Sequence, residues 1–161
     1  MNTTLIASLT KINDMKIHEI KMYQEFPAPI ATVWEAFNNH ENFGKMMGQK
    51  VIRIKDSEDP TNINGLHSVR LLALPLAPFE ETIRKSEKPT CIEYQITKGT
   101  PLHHHYGRMI FSELPNGNSA LDYSIELGSK FPFVTALLAV VLKKGIGSGI
   151  KNYARRLTEG K

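Results

Sequence analysis

The chain has 161 residues, a formal net charge of +4, 22% charged residues and 41% hydrophobic residues. This length fits one domain that can bury a sizeable core without disulfides or a structural metal. Its Lys and Arg residues are scattered and no nucleic-acid-binding motif occurs, so we expect no nucleic-acid partner. The single cysteine, Cys91, excludes an intramolecular disulfide and predicts a cytoplasmic location.

The N-terminal segment reads as separate from the domain. Residues 1–14 lack the positively charged segment and continuous apolar stretch of a signal peptide. We expect these residues to form a loosely ordered extension, and residues 15–161 to form a single domain.

The domain is predicted to begin with a strand and two short helices. Apolar and polar residues alternate over 16–26, which indicates a β-strand. Apolar residues at spacings of three and four then predict a one-faced helix over 29–37. A second short helix is expected over 41–47, ending near Gly48.

The middle of the chain predicts six further strands separated by turn-forming residues. Asn116-Gly117 is the strongest hairpin signal among these turns. Successive strands joined by short loops are antiparallel neighbours, so the segment predicts one antiparallel sheet. The predicted strands cover residues 51–55, 66–74, 79–85, 91–98, 103–113 and 119–127.

A long helix is predicted over residues 131–157, with Pro132 in its first turn. Its first third is apolar on nearly every side, which indicates either a cavity wall or a docking surface. This apolar run is too short to span a bilayer, so no transmembrane segment is predicted. The residues on one side of the predicted helix are Leu138, Leu142, Ile146, Ile150, Tyr153 and Leu157.

Three glycines interrupt this helix at positions 145, 147 and 149. Glycine in a helix interior costs about 1 kcal/mol relative to alanine, so its presence needs a reason. One interpretation is a kink or a close contact with the sheet. The other is that the missing side chains leave room for a ligand.

Four segments resemble the START-like SRPBCC superfamily, which includes polyketide cyclase/dehydrase-type and Bet v 1-like proteins. They are residues 25–34, 79–83, 92–94 and 106–108. The resemblance implies an α+β helix-grip fold, in which a curved seven-stranded antiparallel sheet wraps around the long C-terminal helix. Two short helices lie between strands 1 and 2, and a cavity for a hydrophobic ligand lies between the sheet and the long helix.

Alternation along each strand predicts which side chains face that cavity. Strand 66–74 is ambiguous by alternation, and the resemblance favours Arg70, Leu72 and Leu74 inward, with Arg70 beside Glu81. The predicted ligand-binding residues are Phe37, Phe43, Met46, Met47, Arg70, Leu72, Leu74, Glu81, Tyr94, His103, His105, Met109, Phe111, Tyr123, Leu138 and Leu142.

The run His103-His104-His105 raises the question of a metal site. His103 and His105 would share one face of a strand, but no cysteine or carboxylate stands at a convincing ligand spacing. We therefore predict no metal and no cofactor. The histidines are expected to form ordinary hydrogen bonds, or His105 to contact a ligand or transfer a proton.

Three functional hypotheses follow. Binding of a small hydrophobic molecule is favoured, because polar groups are few and no acid–base pair can be fixed from spacing. The first alternative is a cyclase/aromatase- or dehydratase-type enzyme that uses Glu81, His105 or Tyr123 for proton transfer. The second alternative is a protein-interaction or membrane-edge module, and a homodimer is left open.

Overall fold

A computed structural model describes residues 15–73 and 77–160, which form seven strands and three helices. The element order is the predicted one, whereas the predictions for residues 1–14 and Leu74 lie outside the described residues. The elements are β1 (Ile17–Phe26), α1 (Ile30–Asn38), α2 (His40–Met47), β2 (Val51–Lys55), β3 (Val69–Leu72), β4 (Phe79–Glu87), β5 (Cys91–Lys98), β6 (His104–Glu113), β7 (Ser119–Gly128) and α3 (Pro132–Glu159).

All seven strands form one antiparallel sheet in the order β1-β7-β6-β5-β4-β3-β2. Neighbours along the chain from β2 to β7 are neighbours in the sheet, as their short connections require. β1 closes the far edge by pairing along its whole length with β7. The predicted helix-grip architecture is confirmed.

Local signals set the boundaries of the two short helices. The Asn39 side chain accepts a hydrogen bond from the backbone N–H of Asn42 at 2.8 Å and thereby caps α2. Gly48 ends α2 in the left-handed conformation, with φ of 67°, where glycine carries no steric penalty.

The predicted strand over 66–74 is too long, because β3 covers only Val69–Leu72. The chain turns immediately before it, where His67 has a φ of 65° and the Ser68 side chain donates a hydrogen bond to the Gly65 carbonyl at 2.7 Å. A left-handed residue cannot continue a strand, so pairing starts only at Val69. Arg70 and Leu72 point inward, because Arg70 is 1% exposed and Leu72 lines the space between the sheet and α3.

The long helix α3 lies along the sheet, with Ile150 and Ala154 buried. A Cβ at Gly149 would approach the backbone oxygen of Met46 to 2.5 Å, so this glycine permits close packing of α3 on α2. By length and composition alone, α3 is also the one described helix that could cross a membrane. It takes the place of the long C-terminal helix of the helix-grip fold, and its second half packs on the sheet and on α2.

Beneath the second half of α3 the core is filled by aromatic side chains. Phe37 lies at the centre of this cluster, with ring centroids 5.6 Å from Phe111, 6.0 Å from Phe26 and 6.1 Å from Tyr153. These edge-on contacts stabilise the packing beyond simple burial. An unfilled space remains beneath the first half of the helix.

A candidate ligand-binding cavity

A cavity of about 360 Å³ lies between the sheet and the first half of α3. This volume falls within the range of small-molecule sites. Its wall is largely apolar, and it combines residues of α2, strands β2 to β7, the loop after β5 and α3. The residues that line it are Phe43, Met47, Gln49, Val51, Leu72, Ala77, Phe79, Glu81, Tyr94, Ile96, Gly99, Thr100, Pro101, Leu102, His105, Tyr123, Ile125, Leu127, Leu138, Val141, Leu142, Gly145 and Ile146.

One polar or ionisable side chain reaches the cavity from each of four neighbouring strands. These are Glu81 on β4, Tyr94 on β5, His105 on β6 and Tyr123 on β7. Alternation along each strand turns them toward the helix side, and the antiparallel register brings them together. They form the polar part of an otherwise largely apolar wall.

Glu81 is held from behind by Arg70. The two residues are directly opposite in the pairing of β3 with β4, and the Arg70 Nε donates to Glu81 Oε2 at 2.7 Å. The Arg70 side chain is 1% exposed and the Glu81 side chain is 6% exposed. Burial raises the pKa of Glu81, and the adjacent guanidinium opposes that rise.

The Arg70 guanidinium lies between two aromatic rings. Its central carbon is 4.4 Å from the Phe43 centroid and 4.7 Å from the Tyr94 centroid. Burial disfavours its charge, but Glu81 together with the nearby tyrosines outweighs burial, and the pKa of Arg70 is raised. Among the described residues its Nη2 has no hydrogen-bond partner. Arg70 is thus a buried support for Glu81 rather than part of the cavity wall.

The two tyrosine hydroxyls hydrogen-bond to each other. Burial raises the pKa of both phenols, so both stay protonated at neutral pH. Tyr94 fits because Gly107 stands opposite it on β6, where a Cβ would lie 2.1 Å from the Tyr94 ring. The inward Gly107 is therefore a steric requirement of this site.

His105 is neutral in this environment. Burial lowers its pKa to about 4, and the charges of Arg70 and His104 add to the effect. Its Nδ1 accepts the backbone N–H of Ile96 at 3.1 Å, so the ring proton resides on Nε2. The imidazole therefore offers one N–H donor.

The structure places nine of the predicted site residues on the cavity wall and six elsewhere, while Leu74 lies outside the described residues. Phe37, Met46, Met109 and Phe111 do face the helix side, but they are buried in the core beyond the cavity. The prediction of an inward His103 is wrong, because His103 precedes β6 and is exposed. The predicted residues on the wall are Phe43, Met47, Leu72, Glu81, Tyr94, His105, Tyr123, Leu138 and Leu142.

Several wall residues were not among the predicted ligand contacts. Phe79, Ile96 and Ile125 follow the inward alternation of their strands, so the sequence did carry a signal for them. Residues 99–102 belong to a loop and show no periodicity. Gly145 lines the cavity, which agrees with the interpretation that a missing side chain leaves room.

In residues 15–73 and 77–160, no group of three His, Cys, Asp or Glu side chains comes close enough to hold a metal ion. His104 instead pairs with Glu126 at 2.7 Å on the outer side of the sheet. The exposed His103 and the cavity residue His105 do not share a face, because the strand begins only at His104.

Comparisons with known proteins agree with this architecture. The family described as polyketide cyclase/dehydrase and lipid transport matches residues 18–158. No curated protein matches the sequence significantly.

Solved structures share the fold at low sequence identity. Norcoclaurine synthase from Thalictrum flavum, in complex with dopamine and hydroxybenzaldehyde, has a TM-score of 0.69 at 11% identity, covering 92% of this chain and 91% of the other. A START superfamily protein from Mycobacterium smegmatis has a TM-score of 0.69 at 12% identity, covering 87% and 99%. Ara h 8.0201 has a TM-score of 0.65 at 16% identity, covering 88% and 99%.

Proposed function

The chain belongs to the polyketide cyclase/dehydrase and lipid transport family, and we propose that it binds a small hydrophobic molecule beneath α3. The observation that carries this proposal is the largely apolar cavity of about 360 Å³. Transfer of apolar ligand surface out of water contributes roughly 25 cal/mol per Å², so such a wall supplies affinity without many polar contacts. The cytoplasmic location predicted from the lone cysteine is part of the same proposal.

The polar wall residues suggest the chemistry of the ligand. His105 offers an N–H donor, which suits a carbonyl or ether oxygen. The Glu81 carboxylate, which Arg70 supports, suits a hydroxyl donor. The proposed ligand is therefore an apolar or aromatic molecule that carries both an oxygen acceptor and a hydroxyl group, as polyketide-like compounds do.

Hydroxybenzaldehyde is a suitable probe because it combines an aromatic ring, a hydroxyl group and a carbonyl group. We expect its titration to shift the NMR signals of cavity residues such as Tyr94 and His105. Leu142→Trp fills the cavity from α3 and should weaken binding at least about tenfold. Leu137→Trp is the matched control, because Leu137 lies on the solvent side of the same helix, 57% exposed.

Three results would contradict the binding proposal. One is the absence of cavity shifts with the probe, together with no apolar molecule in native mass spectra of gently purified protein. Another is equal binding by the Leu142→Trp and Leu137→Trp variants, which would place the probe outside the cavity. Loss of binding by both variants, with intact folding, would likewise place the probe outside the cavity.

An enzyme of the cyclase or dehydratase type is the second candidate, since Glu81, His105 and Tyr123 line the same cavity. General acid–base catalysis works best when the pKa lies near the operating pH. Here the pKa of His105 falls to about 4 and the pKa of Tyr123 rises, so one is a weak base and the other a weak acid at neutral pH. These shifts favour binding over proton transfer. An enzyme would instead lose turnover, with intact folding, on His105→Ala, whereas Glu81→Gln would also break the buried pair with Arg70 and lower stability.

A further inference from the structure

The solvent-facing side of α3 has two chemically different halves. In its first half the exposed side chains are large and apolar: Phe133 is 81% exposed, and Val134, Leu137, Val140 and Val141 are each more than half exposed. We call these five residues the apolar face. At 3.6 residues per turn they fall within an arc of about 120°. Exposed apolar side chains are normally scattered singly, so this grouping requires an explanation.

The same side of the helix continues as a basic stripe. Lys144, Lys151 and Arg155 are exposed and lie at the same angular position as the apolar face. No Asp or Glu occurs anywhere from Leu127 to Thr158. A groove beside this stripe, between α3 and β1, is lined by Lys143 and Lys21 as well. Arg155 pairs with Glu159 one turn further on at 3.7 Å, whereas Lys144 and Lys151 form no ion pair among the described residues. The helix thus presents apolar surface followed by largely uncompensated positive charge.

We propose that this side of α3 docks on the surface of an anionic phospholipid bilayer. The apolar face spans about 13 Å of helix and enters the boundary between headgroups and acyl chains. The basic stripe then lies among lipid phosphates, where each Lys or Arg contributes about 1 kcal/mol. A bilayer with anionic lipid offers both of the required chemistries in one surface.

A second copy of the chain fits this surface less well. It would carry the same net charge of +4, and the one acidic side chain of its own α3 is Glu159, which already pairs with Arg155 at the C-terminal end of the helix. Val141 is both exposed and part of the cavity wall, so the apolar face is continuous with the cavity mouth. A docked protein would therefore open its cavity toward the lipid. The docking proposal does not rest on the ligand proposal, because it can be tested without any ligand.

The test is flotation of the full chain with vesicles. We expect binding to vesicles of phosphatidylcholine and phosphatidylglycerol in equal amounts, weaker binding to phosphatidylcholine alone, and weakening by added salt. The double variant Phe133→Ser Leu137→Ser should bind at least about tenfold more weakly. Ile54→Ser is its matched control, since Ile54 is 49% exposed on β2, and should bind like the native chain.

A second pair of variants tests the charge. Lys144→Gln Lys151→Gln should lower binding to the mixed vesicles about fivefold per lysine, whereas Lys50→Gln Lys55→Gln, near the opposite edge of the sheet, should not. All substituted residues are exposed, and circular dichroism should show unchanged folding. Failure of the native chain to float with mixed vesicles would overturn the proposal. A dimer in sedimentation that dissociates in the Phe133→Ser Leu137→Ser variant would also overturn it, because a second copy would then cover the apolar face.

Discussion

Removal of the Arg70 side chain as Arg70→Met should strongly destabilise the fold. The substitution keeps the length of the side chain but leaves the Glu81 carboxylate buried and without its partner at 2.7 Å. Breaking a fully buried ion pair costs about 3–5 kcal/mol. That loss is a large part of the roughly 5–15 kcal/mol by which a domain is stable.

The double variant Arg70→Met Glu81→Leu is the decisive partner in a double-mutant cycle. Replacing both ions by apolar groups of similar size removes the cost of desolvating them, so the double variant should lose less stability than either single variant. Urea unfolding at neutral pH measures all four free energies. Single losses below about 1 kcal/mol, or losses that simply add in the double variant, would refute a tightly coupled buried pair.

The pH dependence of Arg70→Met provides an independent check. Burial already raises the pKa of Glu81, and loss of the guanidinium removes the interaction that opposes the rise. A carboxyl whose pKa is higher in the folded state than its ordinary 4.5 favours folding at acidic pH. The loss of stability of the variant relative to the native chain should therefore be smallest below about pH 4.5 and grow as the pH rises toward the folded pKa of Glu81. A loss that shrinks as the pH is raised through this window would contradict the assignment.

Two further predictions concern stability. Gly145→Ala and Gly147→Ala place a methyl group in open space and should each raise the free energy of unfolding by about 1 kcal/mol. Gly149→Ala should lower the free energy of unfolding, because the new Cβ would lie 2.5 Å from the backbone oxygen of Met46. Thermal unfolding of the three variants in the reverse order would contradict this. Burial lowers the pKa of His40 to about 3, with Arg70 and Arg53 adding to the effect, so the unfolded chain takes up a proton below about pH 6.5 before the folded chain does. His40→Leu should therefore remove up to about 3 kcal/mol of the acid-induced loss of stability near pH 4, measured by urea unfolding across pH, and an unchanged pH profile would exclude this role.

His40 suits that test because its ring is 1% exposed. The Asn64 backbone lies close enough to oppose part of the pKa shift. Yet neither ring nitrogen has a partner within hydrogen-bond geometry in the described part of the chain. Replacing such a group by an apolar one leaves no buried polar atom behind, so the substitution should be tolerated at neutral pH.

The fold could be predicted because most of its strands and helices carry a recognisable local pattern in the sequence. Alternation identified every strand except that over residues 66–74, and the hairpin signal at Asn116-Gly117 fixed the pairing of β6 with β7. The exception is instructive: nothing in the apolar run from Leu66 to Leu74 indicates that His67 adopts a left-handed backbone. That conformation depends on the turn that the hydrogen bond from Ser68 to the Gly65 carbonyl closes. Residue composition does not reveal such a contact.

The cavity could be predicted only in part, because alternation gives the face of a residue but not its distance from the cavity. Met109 and Phe111 share a face with His105 on β6, yet the aromatic cluster around Phe37 fills the space they point into. How far along a strand the packing ends depends on side chains from α1 and α3 together. The pairing of Arg70 with Glu81 was accessible only through the family resemblance, which favours an inward Arg70, and two buried opposite charges on adjacent strands then stabilise one another.

The attachment of α3 to the rest of the molecule is unequal along its length. Its buried residues in the second half are Gly149, Ile150 and Ala154, whereas Thr135 alone is buried in the first half. Thr135 forms a hydrogen bond of 2.6 Å with the Ser129 hydroxyl, so a polar contact holds this end of the helix where apolar burial holds the other. The first half of the helix is therefore held by fewer fully buried side chains than the second half. We expect this half to open toward solvent at a lower cost in free energy than the second half, while the aromatic core stays closed.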